Sequence, residues 1–334
     1  MKILGFGDYL MHFSPNGHER FMQASDMHLT FTGAEANVCS ALALWGEDVG
    51  FVTRLPHHVL AERGITTLRA LGIDTRFVAR GGERMGIYFL ENGVSLRPSS
   101  VIYDRAHSAF TEAEVCDFDI DGMLDSVELV VLSGITPALS SSLFDASLVL
   151  LKRARERGIQ TLLDVNYRPT LLTKEKAGEN LRALAPYITT LISNEEHLKM
   201  LLGIESAFGE DEAYERLKDI AKKAKEHLHI DNIAVTVRRT ITASENAVMA
   251  AYARGEEYAV SPLYRISVVD RVGSGDAFTA GLIYAMRRGF DVEESVNFAV
   301  ASSAYKHTVE SDVNFATVDE IRALLRSGRL DVRR

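Results

Sequence analysis

The chain has 334 residues, 46% of them hydrophobic and 25% charged, with a formal net charge of −9. That length suits one large α/β domain with a smaller appendage. The negative balance argues against a nucleic-acid or anionic-membrane surface, yet leaves room for a phosphorylated ligand, since helix N-termini and backbone N–H groups bind phosphate without net positive charge.

Taken in order, "KILGFG" predicts a buried strand entering a glycine turn, and residues 8–32 predict strand, turn and strand. "GAEANVCSALALWG" has helical spacing and a stop at Gly46. "DVGFVTRL" reads as a strand and "VLAERGITTLRALG" as a helix ending at Gly72. Residues 76–107 change character: "TRFVAR", "RMGIYFLENG" and "VSLRPSSVIYDR" alternate apolar and polar, with Asn92-Gly93 as a hairpin turn and Pro98 at an edge. They predict a small antiparallel sheet inserted between α/β units.

From about residue 110 the alternation returns, through strands at "LVVLSGI", "QTLLDVN", "YITTLISN" and "NIAVTVR", with helices between them. "AVMAAYARGEEYAVS" predicts a hairpin, and three helices close the chain. The expected architecture is a mostly parallel sheet covered on both faces. Cys39 and Cys116 lack metal-type spacing and read as ordinary buried thiols of a reduced cytoplasm. No segment has the length needed to span a bilayer, so a soluble, cytoplasmic protein is expected.

Several motifs lead nowhere. Gly5-x-Gly7 follows a strand, but the third glycine of a dinucleotide fingerprint falls on Leu10. No Walker-type loop is present. His57-His58 and His227-x-His229 have no partners at ligand spacing and read as solvated or helix-flanking residues. "DRVGSGDAFTAG", Asp270 to Gly281, is different. Gly273 and Gly275 allow a tight turn and close backbone approach, and the helix starting near Asp276 aims its first N–H groups into that turn. Asp276 as a mere N-cap is the alternative. Asp270 at a strand end and the position at the carboxyl edge of the sheet favour a ligand site.

This stretch resembles the D-[TR]-x-G-x-G-D signature of the ribokinase-like (PfkB) carbohydrate kinases, and the likeness runs over nearly the whole chain. The resemblance implies a three-layer α/β/α core with a mostly parallel sheet and a small antiparallel β lid. The core takes residues 1–10, 31–75 and 108–334, and the lid 11–30 and 76–107. It implies Asp276 as the base that takes the sugar hydroxyl proton, with Gly273, Ser274 and Gly275 stabilising charge on the transferring phosphoryl group. Gly33 and Asn37 match positions that hold the sugar. The family's N-x-x-E motif appears as "NEEH", which keeps Asn194 toward the nucleotide but puts His197 in the glutamate position, so no metal ligand is assigned.

"GIYFLENG…LRPSSVIYDR" and "DVNYRP" resemble the 2-keto-3-deoxygluconate kinases of that family. The subgroup implies that Tyr88, Tyr103, Arg105, Arg168 and Asp312 contact a sugar acid, and that Asn166 lies near the nucleotide phosphates. An arginine suits a keto-acid because it grips a carboxylate with two donors. Arg168 serves either ligand, and Thr236 and Arg238 border the nucleotide or belong to an ordinary strand. The resemblance implies ATP and Mg2+ as cofactors, leaves a monovalent cation open, and implies a homo-oligomer formed through the lid. The expected reaction is phosphorylation of the terminal hydroxyl of 2-keto-3-deoxygluconate. The alternatives are a neutral sugar such as fructose, a related deoxy-keto acid, or a sugar-sensing homologue with weakened catalysis.

Overall fold

Strand β1 (Ile3–Phe6) is buried along its whole length, as are β4 (Val49–Val52) and β9 (Leu129–Ser133), which flank it. Strands buried on both faces need helices on both sides, and the sequence supplies them. The computed structural model describes residues 1–327; the last seven of the expected core range, 328–334, lie outside the described residues. Before β4 come β2 (Leu10–Ser14) and β3 (His28–Thr32); after it come β5 (Arg54–Leu55), β6 (Ala79–Arg80), β7 (Ile87–Glu91) and β8 (Ser100–Asp104). Beyond β9 lie β10 (Gln160–Asp164), β11 (Thr190–Asn194), β12 (Asn232–Thr242), β13 (Glu245–Arg254), β14 (Glu257–Val260) and β15 (Tyr264–Ser267).

The main sheet runs β14-β13-β12-β11-β10-β9-β1-β4, with β15 also on β13. From β4 to β12 every pairing is parallel, and the β12–β13 hairpin opens an antiparallel edge. One face packs on helices Ala34–Leu44, Ser274–Arg287 and Val292–Lys306 through Ile3, Phe51, Leu162, Phe278 and Phe298. The other packs on helices Ser141–Glu156, Lys174–Leu184 and Ala213–Leu228 through Leu4, Leu132, Leu150, Leu163 and Leu217. Burial of these side chains at roughly 25 cal/mol per Å² supplies most of the favourable folding energy.

A separate four-stranded sheet, β3-β2-β7-β8, stands over one end of the core. Its outer pairs are antiparallel, while β2 and β7 run parallel. Three local expectations change. "TRFVAR" does not join this sheet: it yields only β6, paired in parallel with β5. Asn92-Gly93 is not a tight hairpin turn, because β7 and β8 pair only as far as Glu91 and Ser100, and residues 92–99 form a longer loop closed by a Val94–Arg97 bridge. Gly93 has its place there because a side chain would strike the Arg97 carbonyl. Cys116 is exposed, in a short helical turn whose Val115 packs against the core instead, whereas Cys39 is buried as expected.

The histidines behave as read: His58 Nδ1 accepts the Ala61 N–H and caps a helix, and His229 ends another in left-handed geometry. Gly5 and Gly7 are packing glycines, since side chains there would meet Cys39 and Glu35 of the facing helix.

Candidate active site

The carboxyl ends of β10, β11 and β12 lie in register, with Asn194 opposite Thr236 and Asp164 opposite Ile192. A cleft of about 900 Å³ opens there, between these strand ends and the small sheet. Its wall includes Gly33, Asn37, Tyr88, Tyr103, Arg105, Asn166, Arg168, Asn194, Thr236, Arg238, Gly273, Ser274, Gly275, Asp276 and Asp312. Every residue given a catalytic, sugar or nucleotide role in the sequence therefore faces one space, whereas Asp270 lies behind the glycine turn and accepts from Val272 N.

The glycine turn forms the floor. Gly273 has φ +75°, and a Cβ there would lie 1.9 Å from the Asp312 carbonyl oxygen, so no other residue fits. Gly275 differs, for its Cβ would meet nothing within 4 Å; any need for glycine at 275 comes from a ligand and not from the fold. The Ala277 N–H donates to Gly273 O at 2.8 Å, while the N–H groups of Gly275 and Asp276 in the first turn have no acceptor within the helix. Ser274 is buried.

Asp276 accepts from Asn37 Nδ2 at 2.8 Å, and Thr32 Oγ1 donates to Asn37 Oδ1 at 3.1 Å, which fixes the amide's orientation. Asn37, expected on the sugar, is thus also the residue that aims Asp276. Burial pushes the Asp276 carboxyl up to about 7, with Asp164 and Glu35 adding to the rise and Arg168 opposing it. Asp164 is itself raised by burial to about 6, and its Oδ1 accepts the N–H of Asn166, whose φ is +37°. Glu35 is raised by burial to about 7 and accepts from Ser133 N at 2.7 Å and Thr136 Oγ1 at 3.1 Å, pinning the helix Ala34–Leu44 to β9.

Two ends of the cleft differ in chemistry. Under the small sheet, His12, Tyr88, Tyr103 and Arg105 form a continuous stack, with ring centroids 4.3 Å and 5.5 Å apart and the guanidinium 4.3 Å from the Tyr103 ring. Arg105 Nη1 lies 3.6 Å from Asp8 Oδ2, and His12 Nδ1 lies 3.2 Å from Asp312 Oδ2. Burial raises Asp8 to about 6 and pushes the Tyr88 hydroxyl far up, so that phenol stays a donor. Both Asp8 carboxylate oxygens, Tyr88 Oη, Arg105 Nε and both Asp312 carboxylate oxygens are buried without hydrogen-bond partners. Such groups are costly unless something polar satisfies them.

At the other end stand Arg168, Arg238 and Arg271. Loss of hydration within the cleft, and then the neighbouring Arg271 and Arg168 charges, hold Arg238 below its usual value, although it stands on the exposed stretch of β12. His197 is lowered by burial to about 4, helped by Arg168 and Arg238, so it stays neutral and cannot stand in for the glutamate of "N-x-x-E" as a negative charge. Asn194 Oδ1 accepts the His197 N–H and caps the helix Glu195–Leu202, leaving its amide nitrogen toward the cleft. Glu195 pairs with Arg216, and Glu196 lines the cleft near Arg238. Thr236 Oγ1 reaches Ser193 O at 3.5 Å.

This cationic cluster beside free helix N–H groups fits nucleotide phosphates. Among the described residues no three acids, histidines or cysteines converge as a metal cage.

Asp8, His12, Glu35 and Asp164 carry no site reading in the sequence, whereas Arg271 enters there only as the arginine of the D-[TR]-x-G-x-G-D signature and is placed in the cationic cluster by the structure. "FGD" and "DVN" are strand-end acids, a weak signal taken alone, and His12 carries none.

A family model described as pfkB family carbohydrate kinase matches residues 2–317. The chain is 29% identical to 2-dehydro-3-deoxygalactonokinase of Haloferax volcanii over 98% of this chain and 97% of that protein. It resembles the crystal structure of 2-dehydro-3-deoxygluconokinase from Thermotoga maritima at TM-score 0.94 and 39% identity, covering 98% of each chain. A ribokinase-type protein of Escherichia coli solved with ATP and Mg2+ shares the fold, at TM-score 0.80 and 18% identity over 97% of this chain and 99% of that one.

Proposed function

The chain belongs to the pfkB family of carbohydrate kinases, and from that membership we propose that it transfers the γ-phosphoryl group of ATP to the terminal hydroxyl of a 2-keto-3-deoxy sugar acid, 2-keto-3-deoxygluconate first. One observation carries the reading: Asp276, oriented by Asn37 Nδ2 at 2.8 Å, lines the same cleft as the unsatisfied Tyr88 and Asp312 and the cationic Arg168 and Arg238. A carboxylate standing between a hydroxyl-binding pocket and a phosphate-binding cluster is where a general base belongs.

The sugar acid lies under the small sheet, its carboxylate on Arg105, its hydroxyls on Asp8, Tyr88 and Asp312, and its chain against Gly33 and Tyr103. Gly33 keeps the backbone close, since a Cβ there would lie 2.0 Å from the Asp8 carbonyl oxygen. Arg168, Arg238, Arg271, Asn166, Asn194 and Thr236 take the nucleotide. Mg2+ bound to the phosphates supplies charge neutralisation. Asn37 holds Asp276 toward the hydroxyl, Asp276 accepts its proton, and the N–H groups at Gly275 and Asp276 meet the charge that develops on the phosphoryl oxygens. Because phosphoryl transfer is mostly positioning and electrostatics, this set is sufficient in kind.

The small sheet also serves as a lid and as a contact between copies. β8 is an edge strand whose Val101, Ile102 and Tyr103 are 43%, 53% and 42% exposed, an apolar edge that a second chain would cover. No described helix is long and apolar enough to cross a membrane, and two free cysteines with an ATP requirement suit the cytoplasm.

The test is product identity. Incubation with ATP, Mg2+ and 2-keto-3-deoxygluconate should release ADP and give one product whose 31P resonance couples to the terminal methylene protons. No ADP release, or phosphate on another oxygen, would overturn the assignment. The likeness to 2-dehydro-3-deoxygalactonokinase makes the C4 epimer the first competitor to include.

A further inference from the structure

Helix Val292–Lys306 ends on a lysine with no solvent exposure. Burying an ammonium is costly unless its charge and donors are met. The helix is locked in place by close packing: Gly281 leaves no room for a side chain against the Ala299 backbone, and Ser302 Oγ donates to Ala277 O at 2.8 Å. Lys306 Nζ therefore projects to a set position behind the glycine turn. There it donates to two main-chain carbonyls, Asp270 O at 3.2 Å and Val309 O at 3.1 Å.

Those carbonyls belong to the two loops that shape the turn. The N–H groups of Val269 and Asp270 donate to His307 O, Asp270 Oδ1 accepts from Val272 N at 3.0 Å, and the Asp312 carbonyl sits against Gly273. Asp270, Asp312 and Asp276 add negative potential that favours the ammonium's charge against the burial that lowers it. Main-chain carbonyls gathered around a compact, dehydrated monovalent charge are the way proteins hold a potassium ion. Here the charge arrives on a side chain.

We propose that Lys306 is a built-in monovalent cation: its ammonium draws the Asp270 and Val309 loops together and sets the Gly273–Gly275 turn, so the protein needs no potassium-sized ion from solution. It is a positioning residue, because it acts on the phosphoryl site through the backbone of the turn. That consequence rests on the kinase reading, whereas the structural part of the proposal does not.

Wild-type protein is compared in potassium, sodium and tetramethylammonium salts at equal ionic strength, by turnover and by melting temperature. Both should stay level, with turnover constant within about twofold. Lys306→Ala opens the space that the ammonium filled. Its kcat/KM for ATP should fall about tenfold or more, with a smaller change in the sugar KM, and potassium or ammonium should restore both turnover and melting temperature while tetramethylammonium does not. Lys306→Met fills the space without charge; it should stay impaired and refuse rescue by any ion, which a packing role alone does not predict.

Wild-type activation severalfold by potassium overturns the proposal. So does a folded Lys306→Ala that matches wild type or that no cation rescues. If Lys306→Ala does not fold, the wild-type salt comparison and Lys306→Met still decide. If no sugar is phosphorylated under any condition, the kinase reading fails, and the melting curves still report on Lys306.

Discussion

In the proposed reaction Asp276 is the base, and its raised carboxyl makes two effects separable. For a base whose free-enzyme value is near 7, kcat/KM should rise with pH below that value and level off above it, and Asp276→Asn should abolish the dependence. Turnover of that variant should fall ~10²–10⁴-fold with sugar and ATP binding retained, measured by steady-state kinetics and calorimetry. The linkage has the opposite sign for stability. A carboxyl raised in the folded state is ionised more easily in the unfolded state, so stability falls as pH rises from about 4 through 7. Asp276→Asn should therefore melt higher than wild type at pH 8, by about 2 °C or more, and match it at pH 4. Retention of more than half the wild-type turnover would show that Asp276 only caps a helix. The glycines divide in the same way. Gly273→Ala meets the Asp312 carbonyl at positive φ and should cost roughly 2 kcal/mol or more, lowering Tm with or without ligand. Gly275→Val, facing open space, should leave Tm nearly unchanged and cripple turnover by crowding the ligand, while Ser274→Ala should be mild because main-chain donors do the work. The motif residues were legible because their types are unusual at a helix start. Asp8, Asp164 and Lys306 were not, because their value comes from burial by segments far away in sequence.

At the scale of elements, periodicity located almost every strand and helix of the core, since strands buried on both faces and amphipathic helices leave strong patterns. It failed where two residues decide the pairing. β6 is too short to carry a pattern of its own, and its register beside β5 depends on hydrogen bonds such as Ala79 N to Thr53 O. The 92–99 loop failed for a related reason: Asn-Gly favours a tight turn locally, but β7 and β8 separate at Glu91, where the carboxylate is taken by Arg97 at 2.6 Å and by the Phe21 N–H at 2.9 Å. Those bonds tie the loop to the segment between β2 and β3 and stiffen the small sheet from its far end. The exposed β8 edge yields a prediction at this scale. Ile102→Lys places a charge on the edge where a partner strand would sit and should shift the protein to monomer by light scattering, with its melting curve otherwise intact. A wild-type monomer at high micromolar concentration would remove the lid contact from the account.

For the whole molecule, the sheet brings a cationic cluster and an unsatisfied polar pocket to opposite ends of one cleft, with Asp276 between them. Membership of the carbohydrate kinase family accounts for that division, and the identity of the sugar rests on the pocket under the small sheet. The stack of His12, Tyr88, Tyr103 and Arg105 spans β2, β7 and the end of β8, so the small sheet holds the proposed carboxylate contact as one unit. Removing one partner of a buried charge pair costs ~2–5 kcal/mol, or about 30- to several-thousand-fold in affinity. Asp8, left alone by Arg105→Ala, would lose its neighbouring cation, so stability must be read separately from affinity. The decisive measurement is therefore kcat/KM for 2-keto-3-deoxygluconate and for fructose in wild type and in Arg105→Ala, with ATP affinity measured without sugar. A strong wild-type preference for the acid is expected, with a rise of about 30-fold or more in its KM in the variant, no matching loss for fructose, and unchanged ATP binding. A wild type that prefers fructose, or a variant whose KM for the acid stays within about threefold of wild type, would contradict the sugar-acid assignment.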